Sequence, residues 1–246
     1  MNDHELAAAL AEQAGQLLLE LRASGLEGAE LGMAGDREAN ELILDGLRAA
    51  RPDDGVLSEE CIDRPDRLHH RRVWIIDPLD GTREYMSERD DWAVHVALAT
   101  DGQPEAGAVA VPAIGRLLST VAPPAVPGSR EKAVILVSRT RAPDEAKALA
   151  DHLDAELRPM GSAGAKAAAV IAGEADLYFH AGGQHEWDNC APVAVALAAG
   201  LHASRADGSA IVYNQADVRV PDLVIGRTEL ALEAVAFLRS YSVKAG

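Results

Sequence analysis

The sequence predicts a mixed α/β chain in two halves: helices and a β meander first, then strands and helices in alternation. Three observations carry this. Apolar residues recur at helical spacing through the first fifty positions. Short apolar runs between 91 and 122 are separated by Asp-Gly and Pro turns, and strand-like and helix-like segments alternate from 133 onward. The segment 123–130, rich in Pro, Gly and Ser, divides the chain into 1–130 and 131–246, which are expected to form one compact unit.

Leu6, Leu10, Ala14, Leu17, Leu18 and Leu21 predict a helix over 5–23. A Gly-containing break over 24–35 leads to a second helix over 36–50, with Leu42, Ile43 and Leu47 inward and Arg51-Pro52 as its stop. Val56-Leu57 is a short strand running into Ser58-Glu59-Glu60, and 61–71 is a polar loop. Val73 to Ile76 is a buried strand ending at Asp77-Pro78. The segments 93–99, 106–111 and 116–122 form an antiparallel meander. Strands follow at 133–137 and 175–180, and helices at 143–153, 162–173 and 190–199; no element is assigned beyond Ala199.

With 48% hydrophobic residues in 246, the chain can build a substantial core. Its net charge of −16 argues against a nucleic-acid-binding surface, which needs a basic stripe. The same charge admits a small phosphate ester only where cations offset the repulsion. No apolar run reaches the roughly 18 residues that span a bilayer. The start Met1-Asn2-Asp3-His4-Glu5 lacks the pattern of a signal peptide, and Cys61 and Cys190 are too few for a disulfide framework. The cytoplasm is the expected compartment.

Trp74-Ile75-Ile76-Asp77-Pro78-Leu79-Asp80-Gly81-Thr82 is the most informative stretch. A buried strand ends in two carboxylates three residues apart, and hard divalent cations take such oxygens, along with a backbone carbonyl such as that of Leu79. Gly81 permits close backbone approach, so the Gly81 and Thr82 amides can hold phosphate oxygens. Glu59 stands at another strand end, where Ser-Glu-Glu alone is usually a solvated turn. Asp188 lies just before an Ala-rich helix with Pro192 in its first turn, where it can cap, bind metal or do both. Asp36 is read the same two ways at the start of the second helix. Gly161-Ser162-Ala163-Gly164-Ala165-Lys166 is followed by Ala167, so it is not a phosphate-binding Walker string. His185 is read as structural, and the other histidines lack zinc spacing.

Three strings together, Leu57-Ser58-Glu59-Glu60, Trp74 to Thr82, and Trp187-Asp188 before an Ala-rich helix and Ala199-Gly200, resemble the inositol monophosphatase superfamily of lithium-sensitive, magnesium-dependent phosphatases. The resemblance covers nearly the whole chain. Arg83-Glu84, Val137-Ser138-Arg139 and Gly161-Ser162 with Lys166 are similar to its CysQ-type 3'(2'),5'-bisphosphate nucleotidases. A Lys that many relatives carry before the Asp36 position is missing, and Ala181 stands where an inositol-contacting Glu is expected.

The resemblance implies a layered αβαβα sandwich serving as one catalytic unit. It implies two or three Mg²⁺ held by Glu59, Asp77, the Leu79 carbonyl, Asp80 and Asp188, with Asp77 bridging two of them. Asp36, Glu59, Thr82 and Asp80 are the expected catalytic residues. Asp80, Gly81, Thr82, Ser138, Arg139, Gly161, Ser162, Lys166 and Asp188 are expected to contact substrate, Arg139 and Lys166 meeting a second phosphate. The implied reaction removes the 3'-phosphate of adenosine 3',5'-bisphosphate, and of its sulfated relative, during sulfate assimilation. Inositol 1-phosphate and fructose 1,6-bisphosphate are the alternative substrates, an inactive metal- or nucleotide-binding regulator is the reading from another class, and a homodimer is the expected assembly.

Overall fold

The computed structural model describes residues 1–126, 128–140 and 142–245; Pro127, inside the expected boundary segment, lies outside them, as do Arg141 and Gly246. Helix α1 (Asp3–Arg22) opens with a capping box in which the Asn2 side chain and Glu5 satisfy each other's backbone amides. Helix α2 spans Gly28–Ala50, eight residues more than the sequence reading gave it. Its glycines are close-packing positions and do not break it. A Cβ on Gly35 would sit 3.0 Å from Leu79 and 3.1 Å from both Leu18 and Tyr85. Asp36 therefore stands inside a helix and is not a cap, which corrects the expectation.

The first sheet has the order β1 (Gly55–Ser58), β2 (Arg72–Asp80), β3 (Ala93–Thr100), β4 (Gln103–Val111), β5 (Arg116–Ser119). β1 and β2 run parallel; the remaining neighbours are antiparallel. β2 continues through Pro78 to Asp80, past the expected end. Pro78 is tolerated there because β1 pairs no further than Ser58 with Ile76, and the β2–β3 register shifts between Asp77 and Asp80. The short helix α3 (Thr82–Met86) follows Gly81, and a 3₁₀ turn (Pro65–His69) lies in the segment read as loop.

The second sheet has the order β7 (Glu156–Met160), β6 (Val134–Ser138), β8 (Leu177–His185), β10 (Arg219–Gly226), β9 (His202–Ser204). Its helices are α4 (Asp144–Leu153), α5 (Ala163–Ile171), α6 (Glu186–Ala198) and α7 (Thr228–Ala245). Helix α6 begins before Asp188, which is in its first turn, and Pro192 lies inside the helix beyond that turn.

Side-chain alternation along the strands sets the layers. Trp74, Ile76, Val94, Val96, Leu98 and Ala108 pack against Leu10, Ala14, Leu18, Ile43 and Leu47 of α1 and α2. The opposite face, with Val73, Ile75, Ala97 and Val109, meets Ala168, Val170, Ala191 and Val195 of α5 and α6, which also cover Leu136, Tyr178 and Leu223 of the second sheet. Ile135, Phe179 and Val224 on the far face meet α4 and α7. The result is an α-β-α-β-α sandwich, as the sequence resemblance implied. Its small-residue middle helices allow α5 and α6 to lie between both sheets.

Candidate active site

Parallel pairing of β1 and β2 brings their carboxyl ends together, and there the acids converge. Ser58 is opposite Ile76, and the Glu59 amide donates to the Ile76 carbonyl at 3.2 Å, which puts Glu59 beside Asp77. Asp77 is 1% exposed, so it cannot be a solvated turn residue. Its Oδ1 accepts from the Leu79 amide at 3.1 Å, bending the chain so that Asp80 turns back toward it. Asp188 arrives from α6 in the middle layer. One carboxylate oxygen from each of Asp77, Asp80 and Asp188 lies within 4.8 Å of the others.

Two of these acids are braced from the second half. Asp80 Oδ2 accepts from the Ser162 hydroxyl and from the Gly164 amide at 2.6 Å, both at the start of α5. Asp188 Oδ2 accepts from the His185 amide at 2.6 Å, so one oxygen caps α6 and the other remains for a ligand. Thr82 Oγ1 is 3.2 Å from the Leu79 carbonyl and 3.4 Å from Asp36 Oδ1. Gly81, at φ 90°, holds the left-handed turn between Asp80 and α3.

Burial and mutual repulsion show in the acidities. Burial foremost, then Asp188, lifts Glu59 to about 7. Asp188 rises to about 6 through burial and Asp80. Asp77 is pushed well up by burial and by its three acidic neighbours. Asp36 rises to about 6 through burial and Glu60, against the Thr82 hydrogen bond that lowers it. Four acids held this close fit a hard divalent metal; oxygen is the only donor type they offer.

A cleft of about 360 Å³ opens over this cluster, lined by Glu59, Asp77, Leu79, Asp80, Gly81, Thr82 and Asp188 on one side and by Ser138, Arg139, Gly161, Ser162 and Lys166 on the other. Every expected site residue except Asp36 lines it, and Asp36 reaches it through Thr82. Two of the cleft's cations have partners within the protein. Lys166 donates to the carbonyls of Ser162, Gly161 (3.2 Å) and Met160 (3.5 Å), which occupies the three protons an ammonium has. Burial lowers its pKa to about 8. Arg139 forms an ion pair with Glu84. Lys166 therefore holds the turn that holds Asp80.

Sequence reasoning missed Glu84, Tyr178, Gln184 and His95. The first three line the cleft. His95, fully buried, has Nδ1 at 2.9 Å from the Trp187 carbonyl, while its Nε2 comes to 3.5 Å from Asp80 Oδ2 without a hydrogen bond among the described residues. A Cβ on Gly164 would overlap its Nε2. The strand alternation of 93–99 gives its inward face, but nothing in the sequence gives its partners.

The model of the inositol monophosphatase family matches residues 3–240. The 3'-phosphoadenosine 5'-phosphate phosphatase of Mycobacterium tuberculosis (strain CDC 1551 / Oshkosh) is 52% identical over 233 residues, covering 89% of this chain and 86% of that one. The 3'(2'),5'-bisphosphate nucleotidase CysQ of Escherichia coli (strain K12) is 34% identical over 194 residues, 73% of this chain and 78% of the other. In fold, the crystal structure of CysQ from Bacteroides thetaiotaomicron superposes with a TM-score of 0.79 at 24% identity, covering 92% of this chain and 97% of that one.

Proposed function

The chain belongs to the inositol monophosphatase family, and from that premise we propose that it is a Mg²⁺-dependent phosphatase converting adenosine 3',5'-bisphosphate to AMP and phosphate. The observation that carries the reaction type is the convergence of Asp77, Asp80 and Asp188 within 4.8 Å at the floor of a cleft. Similarity at 52% identity to a 3'-phosphoadenosine 5'-phosphate phosphatase supports the substrate.

In the reaction a water oxygen bonds to phosphorus, the bond from phosphorus to O3' breaks, and O3' leaves with the electron pair and takes up a proton. A phosphate monoester dianion repels its attacker, so the protein's work is positioning and charge compensation. Glu59, Asp77, the Leu79 carbonyl, Asp80 and Asp188 would hold two or three Mg²⁺, which, when bound, offset the phosphate's charge, acidify the attacking water and stabilise the leaving oxygen. Thr82 and Asp36, joined by their hydrogen bond, orient that water, and Asp36 or Glu59 accepts its proton. Burial foremost lifts Asp36 to about 6, which makes it a stronger base than an ordinary carboxylate. The Gly81 and Thr82 amides hold phosphate oxygens, and Asp80, fixed by Ser162 and Gly164, lies on the leaving-group side.

Comparing kcat/KM for adenosine 3',5'-bisphosphate, inositol 1-phosphate and fructose 1,6-bisphosphate tests the reading. The nucleotide should exceed both others by at least about tenfold, a discrimination of the size a single charged contact supplies. A preference for either sugar phosphate would overturn the substrate, and release of no phosphate from any of them would leave a metal- or nucleotide-binding protein without turnover.

A further inference from the structure

Among the described residues, the lysine and arginine side chains that line the cleft are Arg83, Arg139 and Lys166. Two are already engaged. Arg139 is paired with Glu84, which is 8% exposed and fixed against Gly161, where a Cβ would come within 2.6 Å of the Glu84 Cδ. Lys166 is 4% exposed and spends its protons on the carbonyls of Met160, Gly161 and Ser162. Arg83 differs from both. It is exposed, it follows Thr82 directly at the foot of the cleft, and it has no hydrogen-bond or ion-pair partner among the described residues.

A substrate with two phosphates poses a problem for this cleft. Its reacting phosphate is to be compensated at the carboxylate cluster. Its second phosphate meets the field of a chain with net charge −16 and has no compensation unless a cation is free to turn toward it. Recruiting Arg139 would leave Glu84 buried without its partner, and recruiting Lys166 would break its hydrogen bonds to the Gly161 and Ser162 carbonyls. Arg83 can turn at no such cost, and its planar fork matches phosphate oxygens two at a time.

We propose that Arg83 is the specificity-determining residue of this site, binding the non-reacting phosphate of a nucleoside bisphosphate. The assignment rests on the hydrolysis proposed above and adds to it the residue that tells a bisphosphate from a monophosphate.

The test compares wild type, Arg83→Ala, Arg83→Lys and Arg139→Ala on adenosine 3',5'-bisphosphate and on adenosine 3'-monophosphate, which lacks the second phosphate. Arg83→Ala should raise KM for the bisphosphate about tenfold or more with kcat within about twofold, and leave KM for the monophosphate unchanged. Arg83→Lys should recover part of the loss, and Arg139→Ala should cost less than Arg83→Ala. Inhibition by AMP, which keeps the 5'-phosphate, should weaken in parallel in Arg83→Ala, while inhibition by inorganic phosphate should not change. Equal effects on both substrates, or none on either, would overturn the assignment while leaving the hydrolysis intact. Wild-type protein that turns over the monophosphate but not the bisphosphate would instead overturn the reading on which the assignment rests.

Discussion

On the proposed function, Asp77 concentrates the site's chemistry in one side chain. Its Oδ1 shapes the turn to Asp80 through the Leu79 amide, while its burial among Glu59, Asp80 and Asp188 makes its charge costly until a cation arrives. Replacing it with Asn separates the two roles, because an amide oxygen still accepts from Leu79 but carries no charge. Asp77→Asn should keep the fold, lower kcat by about 10²–10³-fold or more, and melt higher than wild type without metal at pH 8. Phosphate-release kinetics and thermal melts check this; near-normal turnover in saturating Mg²⁺ would remove Asp77 from the reaction. At this scale much of the site is legible in the sequence. Asp77-Pro78-Leu79-Asp80-Gly81-Thr82 is contiguous, so the spacing of its carboxylates is fixed by local geometry. His95 and Glu84 are not legible, because each is defined by a partner dozens of residues away: Trp187 for one, Arg139 for the other.

Helix α5 shows what an element contributes. It holds no metal-binding acid, yet its first residues grip Asp80, and its Lys166 stitches the preceding turn by three carbonyls. A residue touching the substrate's second phosphate would affect only substrates that have one. A residue that holds Asp80 in place affects them all. Lys166→Met should therefore lower kcat for mono- and bisphosphates by the same factor, about tenfold or more, with little change in the ratio of their KM values. A loss confined to bisphosphates would return Lys166 to direct substrate contact. Elements were legible where their periodicity was local, helix α7 (Thr228–Ala245) excepted, since no element is expected beyond Ala199. Helix α1 and strands β3 to β5 match their sequence patterns closely. Helix α2 was cut short because Gly32 and Gly35 resemble breakers, although they are the positions where Met86, Leu79 and Tyr85 press closest. β7, β9 and β10 depend on neighbours in the second sheet for their definition, and a window along the chain does not contain those neighbours.

At the scale of the whole molecule, function imposes a cost on stability that pH reveals. Asp36, Glu59, Asp77, Asp188 and the buried Glu186, itself lifted to about 7, all hold their protons more tightly folded than unfolded. Between ordinary values near 4 and the folded values of about 6 to 7 that Asp36, Glu59, Asp188 and Glu186 reach, the native state binds more protons, so stability falls as pH rises through that window. His202, whose burial lowers its imidazole, opposes this as a single group, and Lys166, at about 8 against 10.5, acts only at higher pH. The metal-free protein should thus lose Tm between pH 5 and pH 8, and Mg²⁺ should restore more Tm at pH 8, where protons no longer occupy its ligands. A Tm that rises with pH in the absence of metal would contradict this arrangement of charges. The net charge of −16 and the absence of a basic stripe were plain in the sequence, but the concentration of the costliest charges at one point between two sheets appears only when the layers close.

The most direct test is a crystal grown with Mn²⁺ in place of Mg²⁺ and measured for anomalous scattering. The account predicts at least two anomalous peaks in the space bounded by Glu59, Asp77, Asp80 and Asp188, each with carboxylate oxygens of these residues at bonding distance. An ordered cleft with no peak there, or with these four side chains turned away from an ion held elsewhere, would contradict it.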